Sequence, residues 1–429
     1  MKKNLDQWLA FLESNHPTEI DMGLERVQTV AQRLNLLKPA PLTLLVAGTN
    51  GKGSTVTMCS SILNATGMNV GSYMSPHLHV YNERVRINGQ PVADELIIES
   101  FEKIDEARAE ISLTYFEVGT LSALYIFKKA KVDAAVLEIG LGGRLDAVNI
   151  VEPNGAAVTS IGLDHQDWLG SDINSIAYEK AGVYRAFQPA ICGERNPPSR
   201  LIEHAKGLDA NLLIKGRDFD FKRTGDKWSW QGVAADGQAL NFVDLTLPAL
   251  PIENACTSLQ LLIQVCPMLT LDEINLGLQN AQLGGRLQQF AYPYSGILDV
   301  GHNPQAAKLL NEHLVSQPIK GKRYALLAML KDKDALAVAQ SMPGIDKWYL
   351  AGLDGYRGQT CHELGNKVSG VIEVSGKYET VADGLDGLKD IITNQDQVIV
   401  FGSFLTVAAA QQWLDTLGAQ LQSNAEVEG

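Results

Sequence analysis

The sequence lacks paired cysteines, low-complexity tracts, internal repeats and any apolar run long enough to cross a bilayer. Its five cysteines (Cys59, Cys192, Cys256, Cys266, Cys361) are odd in number and scattered, with no C-x-x-C pair. That spacing gives no support to a disulfide scaffold, a zinc site or an iron–sulfur cluster, and fits free thiols in a reducing cytoplasm. Positive charge is also short: 36 Lys and Arg against 49 Asp and Glu leave a net charge of −13. The balance argues against a general binder of nucleic acid or anionic membrane, so no nucleic-acid or membrane partner is expected. Anionic ligands would need local lysines, backbone amides and metal. A signal-peptide core is missing too; Leu5, Trp8, Leu9, Phe11 and Leu12 predict an amphipathic helix instead.

At 429 residues the chain exceeds what one core usually serves, so two domains are expected. Short β-rich runs alternate with helical segments, which predicts parallel sheets covered by helices. Strands are expected at LTLLVAG (42–48), DAAVLEIG (133–140), GAAVTSIGLDH (155–165) and PAICGE (189–194). From Leu212 to Leu250 apolar and polar residues alternate, suggesting a small antiparallel insertion, followed by helices over Glu253–Gln264 and after Leu271. GILDVGHNP, RYALLAML, DKWYLAGL and QVIVFGSF then read as strands of a second, smaller α/β domain, with QSNAEVEG a frayed tail. The expected division is residues 1–285 and residues 286–429.

The richest stretch is LTLLVAGTNGKGST (42–55). An apolar strand breaks into a loop with Gly48, Gly51 and Gly53 around Lys52, and a helix is expected from Ser54 to Ala65. Glycines let backbone N–H groups turn onto phosphate oxygens, the helix start adds a favourable dipole, and a lysine reaches the β/γ-phosphates. The loop departs from G-x-x-x-x-G-K-[ST]: Val46 stands at the first Gly and Gly53 at the hydroxyl position. A glycine-rich turn with a chance lysine is the plain alternative.

Ligands of open parallel sheets sit beyond the carboxyl ends of the strands. The phosphate loop, Glu138 and Asp164-His165 each end a predicted strand, so they should converge at one edge. Glu138, flanked by apolar residues and glycine in AVLEIG, is costly to leave unpaired, and its hard oxygen suits Mg²⁺; an ordinary strand-end acid is the alternative. Alone, His165 reads more often as a structural histidine than as a ligand, the same caution applies to Ser75 and His77 of YMSPHL, and Lys180 of YEKAGVY reads as a solvated helix lysine.

GTNGKGS, SPHL, TYFE, LEIGLGGRLDA, LDH, EKAG, GGR and D-x-GHNP follow one another in the order that characterises folylpolyglutamate synthases. The chain most resembles the bacterial bifunctional dihydrofolate synthase/folylpolyglutamate synthase group within the Mur ligase superfamily. The matching blocks run from Asp21 to Ser403. The resemblance implies a P-loop ATPase-like N-terminal domain that binds ATP and pterin or folate, with a mostly parallel sheet and a small antiparallel insertion, and a Rossmann-like α/β C-terminal domain that binds glutamate. It implies that Thr49, Asn50, Gly51 and Lys52 hold the ATP phosphates and that Ser75, Glu138 and His165 bind Mg²⁺. Lys180 matches a lysine carried in the family as a carbamate. Asn254, Arg286 and Asp299 match ATP contacts, with Arg286 placed to reach the transferred phosphate. His302 and Ser403 match contacts to glutamate. Asp21, Met22 and Gly23, Thr114, Tyr115, Phe116 and Glu117, and Leu145, Asp146 and Ala147 match the segments that hold dihydropteroate; Met22 replaces a common Leu.

The activity so implied is an amide ligation. ATP phosphorylates the carboxylate of 7,8-dihydropteroate or of a reduced folate, and the amine of L-glutamate displaces phosphate. Lys52, Lys180, Arg286 and His302 are the expected catalytic residues, Mg²⁺ and K⁺ the expected cations, and a cytoplasmic monomer the expected form. Because Lys52 and His302 fall in different domains, closure around the acyl phosphate is expected. A muramyl-type ligase, a folylpolyglutamate synthase without the first activity, and a nucleotide-dependent switch are the competing readings.

Overall fold

The computed structural model describes residues 3–14 and 21–427, with the side chains of 419–427 left aside. Ile20 and the last two residues of the tail lie outside the described residues. The chain divides into two compact units, Met1–Gln282 and Leu283–Gly429.

Unit 1 is built on eight strands: β1 (Leu42–Ala47), β2 (Val70–Tyr73), β3 (Val85–Ile87), β4 (Gln90–Pro91), β5 (Ala134–Glu138), β6 (Gly155–Val158), β7 (Pro189–Cys192) and β8 (Asn211–Ile214). Their order is β4-β3-β2-β5-β1-β6-β7-β8. The six strands from β2 to β8 run parallel, while β3 and β4 add an antiparallel hairpin at one edge. The central strands β1, β5 and β6 are almost wholly buried, which is why they read as continuous apolar runs rather than alternating ones. Because β5, β1 and β6 are neighbours, the loops that follow them open side by side.

Three further strands, β9 (Asp220–Thr224), β10 (Lys227–Val233) and β11 (Ala239–Thr246), make a separate antiparallel sheet. Its anchors are Trp228 and Trp230, both fully buried; the Trp230 indole donates to the Cys256 carbonyl (3.2 Å) in helix Ile252–Val265.

Unit 2 holds β12 (Gln288–Phe290), β13 (Gly296–Asp299), β14 (Arg323–Leu327), β15 (Lys347–Ala351), β16 (Val374–Tyr378) and β17 (Gln397–Phe401), ordered β12-β13-β17-β14-β15-β16. All pairs are parallel except β12 with β13. Ile297, Ala325, Leu327, Leu350, Ile399 and Phe401 form the centre of its core.

The expected α/β class with a small antiparallel insertion holds. Four local expectations need correction. Residues 211–214 do not belong to the insertion; their backbone pairs parallel with β7 at the sheet edge. The run 155–165 is strand only to Val158, because Thr159 and Ser160 turn their hydroxyls onto the phosphate-loop backbone. The helix after that loop starts at Lys52 rather than Ser54. The tail is not frayed over its described part, since helix Phe404–Val427 runs through it.

Candidate active site

The phosphate loop is fixed from the β6 side. Thr49 N–H donates to the Ser160 carbonyl (2.8 Å), Asn50 N–H to Ser160 Oγ (2.9 Å) and Gly162 N–H to Thr49 Oγ1 (2.9 Å). Thr159 Oγ1 donates to the Asn50 carbonyl (2.6 Å). Two glycines are obligatory here. A Cβ on Gly48 would lie 2.0 Å from Thr159 Oγ1, and Gly51 has φ +85° with Asn254 Oδ1 2.4 Å from where its Cβ would be. Asn254, assigned from the sequence to the nucleotide, therefore stands against the loop.

Gly51 caps helix Lys52–Ala65 without a side chain, so the first-turn N–H groups have no side-chain partner. They face the region where a phosphate would gain from the helix dipole. Lys52 curls over its own loop, donating to the carbonyls of Gly48 (3.1 Å) and Thr49 (3.3 Å).

Next to this loop, β5 ends at Glu138, which is only 5% exposed. Ser75 N–H points at its Oε2 across 3.3 Å, so the first two proposed metal ligands are brought together. Beyond β6, His165 caps the short helix Gln166–Leu169 with φ +50°; its side chain is 43% exposed and its Nε2 lies 4.0 Å from Asp164 Oδ2. Oxygen donors with an imidazole fit a hard divalent ion that keeps part of its water shell. Among the described residues no group of three or more His, Cys, Asp or Glu side chains is placed to hold a metal ion.

Lys180 sits at the end of helix Ile173–Ala181 and is 4% exposed. Burial first, then the charge of Lys52, push its ammonium down to about 7. Asp164 and Asp146 oppose that shift. Asp146 is buried as well and pushed up to about 7 by desolvation, although Leu141 N–H (2.8 Å) and Val148 N–H (2.9 Å) donate to its carboxylate. Lys52, Lys180, Asp146 and Asp164 thus lie within electrostatic reach of one another. A lysine whose neutral amine is accessible near pH 7 is chemically suited to carbamate formation.

The acceptor segments also meet. Arg26 joins them, pairing through Nη1 with Asp21 (2.7 Å) and through Nη2 with Glu117 Oε1 (3.1 Å). Glu117 Oε2 accepts Thr114 N–H (2.7 Å) while Thr114 Oγ1 accepts Glu117 N–H (3.2 Å), a capping box that starts helix Tyr115–Ala130. Phe116 lies flat on Gly140, where a Cβ would come within 2.4 Å of its ring, and stands 6.2 Å from the Tyr73 ring. Met22, Gly23, Tyr115 and Leu145 are half-buried and Ala147 is buried. Arg26, Thr159 and Ser160 were not selected from the sequence; only Arg26, three residues beyond Gly23 of a matched segment, carried a signal there.

In unit 2 the GGR and D-x-GHNP segments close on each other. Asp299 is buried, accepts from Leu287 N–H (3.0 Å) and Gly301 N–H (2.8 Å), and is pushed above its ordinary value by desolvation, with Arg286 opposing. The Arg286 guanidinium lies 5.1 Å from the Phe404 ring centre. His302 Nδ1 is 2.9 Å from the Val300 carbonyl. Ser403 is buried, with Oγ 2.6 Å from Thr406 Oγ1 and accepting Thr406 N–H (3.0 Å).

Two family descriptions match the chain: the Mur ligase middle domain over residues 46–242 and the Mur ligase glutamate ligase domain over residues 285–404. A dihydrofolate synthase/folylpolyglutamate synthase of Escherichia coli K12 is 44% identical over 96% of both chains. The structure of the Escherichia coli enzyme with DHPP and ADP superposes with TM-score 0.92 at 43% identity, covering 96% of this chain and 98% of that one. A bifunctional folylpolyglutamate synthase/dihydrofolate synthase from Yersinia pestis, complexed with AMPPNP and Mn ion, gives 0.90 at 43% identity over the same shares. With Lys52 on its glycine-rich loop, Glu138 buried at its strand end and Arg26 linking Asp21 to Glu117, this chain belongs to the dihydrofolate synthase/folylpolyglutamate synthase family of Mur ligases.

Proposed function

We propose that this chain is an ATP-dependent ligase that joins L-glutamate to 7,8-dihydropteroate and, in a second activity, to reduced folates. The observation that carries this reading is one sheet edge: the phosphate loop, Glu138 with Ser75, and the buried Lys180 and Asp146 open beside the Arg26-linked acceptor segments. Close relatives that carry both activities in their names support it.

Joining a carboxylate to an amine in water needs an activated acyl group, and phosphorylation supplies one. Like-charge repulsion between carboxylate and γ-phosphate is the main obstacle, so cations and oriented N–H groups carry much of the rate. Lys52 and the first-turn N–H groups beyond Gly51 would hold the phosphates, with Asn50 and Thr49 fixed by Ser160 and Gly162. Ser75, Glu138 and His165 would hold Mg²⁺, which supplies charge neutralisation between the phosphate and carboxylate oxygens. As a carbamate, Lys180 would turn from a cation beside Lys52 into its counter-charge. Asp21, Thr114, Phe116 and Asp146 would hold the pterin end of the acceptor. In unit 2, Arg286 and Asp299 are assigned to the nucleotide and His302 and Ser403 to glutamate.

The test is a mass spectrum of products from 7,8-dihydropteroate, ATP and excess glutamate. A species heavier by one glutamyl residue, then by further ones with a reduced folate, is expected. Release of ADP with no such product would overturn the reading.

A further inference from the structure

Arg84 ends the short helix Tyr81–Arg84 and is only 9% exposed. Its guanidinium carbon lies 5.4 Å from the Tyr81 ring centre and 5.3 Å from that of Tyr115. Its Nε donates to His77 Nδ1 (2.8 Å), which fixes that nitrogen as a lone-pair acceptor and brings no negative charge. Among the described residues no carboxylate pairs with Arg84; Glu13 acts on the neighbouring Tyr115 without pairing with Arg84, and Glu83, Glu117 and Asp146 are engaged elsewhere. Glu83 accepts the backbone N–H groups of Leu78, His79 and Val80 (2.8–2.9 Å). Glu117 is taken by Arg26 and Thr114 N–H, and Asp146 by Leu141 and Val148 N–H.

A buried guanidinium without a counter-charge is expensive, and its planar fork matches a carboxylate in two-point contact. The position is informative. The Arg84 carbonyl accepts Met74 N–H (2.9 Å), the residue before Ser75, and Tyr115 belongs to the acceptor segment 114–117. Arg84 therefore stands between the Ser75–Glu138 corner and the acceptor segments.

We propose that Arg84 binds a carboxylate of the acceptor and so sets acceptor affinity. This rests on the ligase reading given above. The carboxylate is either the benzoate group that becomes activated or the α-carboxylate of an existing glutamyl residue; both present the same chemistry.

The experiment compares wild type, R84Q and R84K in steady-state kinetics with 7,8-dihydropteroate and with a monoglutamyl reduced folate. Loss of a charge-assisted contact should raise acceptor KM in R84Q by about 10- to 100-fold. KM for ATP should stay within about twofold, and R84K should recover part of the loss as a point charge without the fork. An effect confined to dihydropteroate assigns the benzoate group, which the folate carries only as an amide; an effect confined to the folate assigns the α-carboxylate, and an effect on both assigns whichever carboxylate is being activated. A dihydropteroate analogue bearing hydrogen in place of the carboxylate should inhibit wild type and R84K with equal Ki, a readout that a role limited to packing would not produce. Unchanged KM for both acceptors in R84Q and R84K, with wild type active, overturns the assignment alone. A wild type that ligates neither acceptor overturns the underlying ligase reading first.

Discussion

Asp146 in unit 1 and Asp299 in unit 2 are built alike. Each is buried, each accepts two backbone N–H groups of nearby loop residues, and burial raises each above the ordinary carboxylate range. Their company differs. Around Asp146 stand Lys52, bonded only to loop carbonyls, and Lys180, buried almost without water. Around Asp299 stand Arg286, whose guanidinium lies over an aromatic ring, and the backbone N–H groups of Leu287 and Gly301. The shared device shapes a loop. Unit 1 sets the buried Lys180 within electrostatic reach of Asp146, where unit 2 sets the half-buried Arg286 near Asp299.

The sharpest way to break this contrast is Lys52→Ala. Removing the cation over the phosphate loop should lower kcat by about 10³-fold with both acceptors, while the thermal midpoint stays within about 2 °C of wild type, since Lys52 touches only its own loop carbonyls. Turnover near the wild-type rate would remove the phosphate loop from the mechanism.

A second test uses pH. Between about 7 and the ordinary lysine value of 10.5 the unfolded chain keeps a proton on Lys180 that the folded chain has given up. Stability should therefore rise with pH through that window in CO₂-free buffer. Asp146 acts oppositely and lower: between 3.8 and about 7 the folded chain holds the proton, so its contribution falls as pH climbs. Urea titrations of wild type and Lys180→Met should show the alkaline rise, on the order of a few kcal/mol, only in wild type. Parallel curves would mean that Lys180 is not charged down by burial.

The smallest effect is expected in unit 2. Ser403→Ala removes the acceptor for Thr406 N–H and should cost about 1 kcal/mol of stability. KM for glutamate should rise several-fold, roughly 3 to 10 times, with kcat little changed. A loss of kcat as large as that of Lys52→Ala would erase the distinction between the two edges.

The central strands and the phosphate loop were legible because buried parallel strands are continuous apolar runs and the glycines punctuate them. β2, β3, β4, β12 and β16 were not. They span two to five residues, and VGSY or VSGKY shows neither an apolar run nor clean alternation. The residues of the sequence blocks could be named one by one; which of them meet could not. Arg26 and Glu117 are separated by 91 positions, Thr49 and Gly162 by 113, and no local pattern records such meetings. The burial that shifts Lys180 depends on the packing of a helix whose apolar face looks ordinary in sequence.

The outermost strand of the first sheet, Gln90–Pro91, has a further consequence. It is two residues long, and its proline ring nitrogen has no hydrogen to donate. A foreign strand arriving at that border finds almost no ladder to extend. The same hairpin that flanks the Arg84 turn thus guards newly made chains against stacking border to border into aggregates.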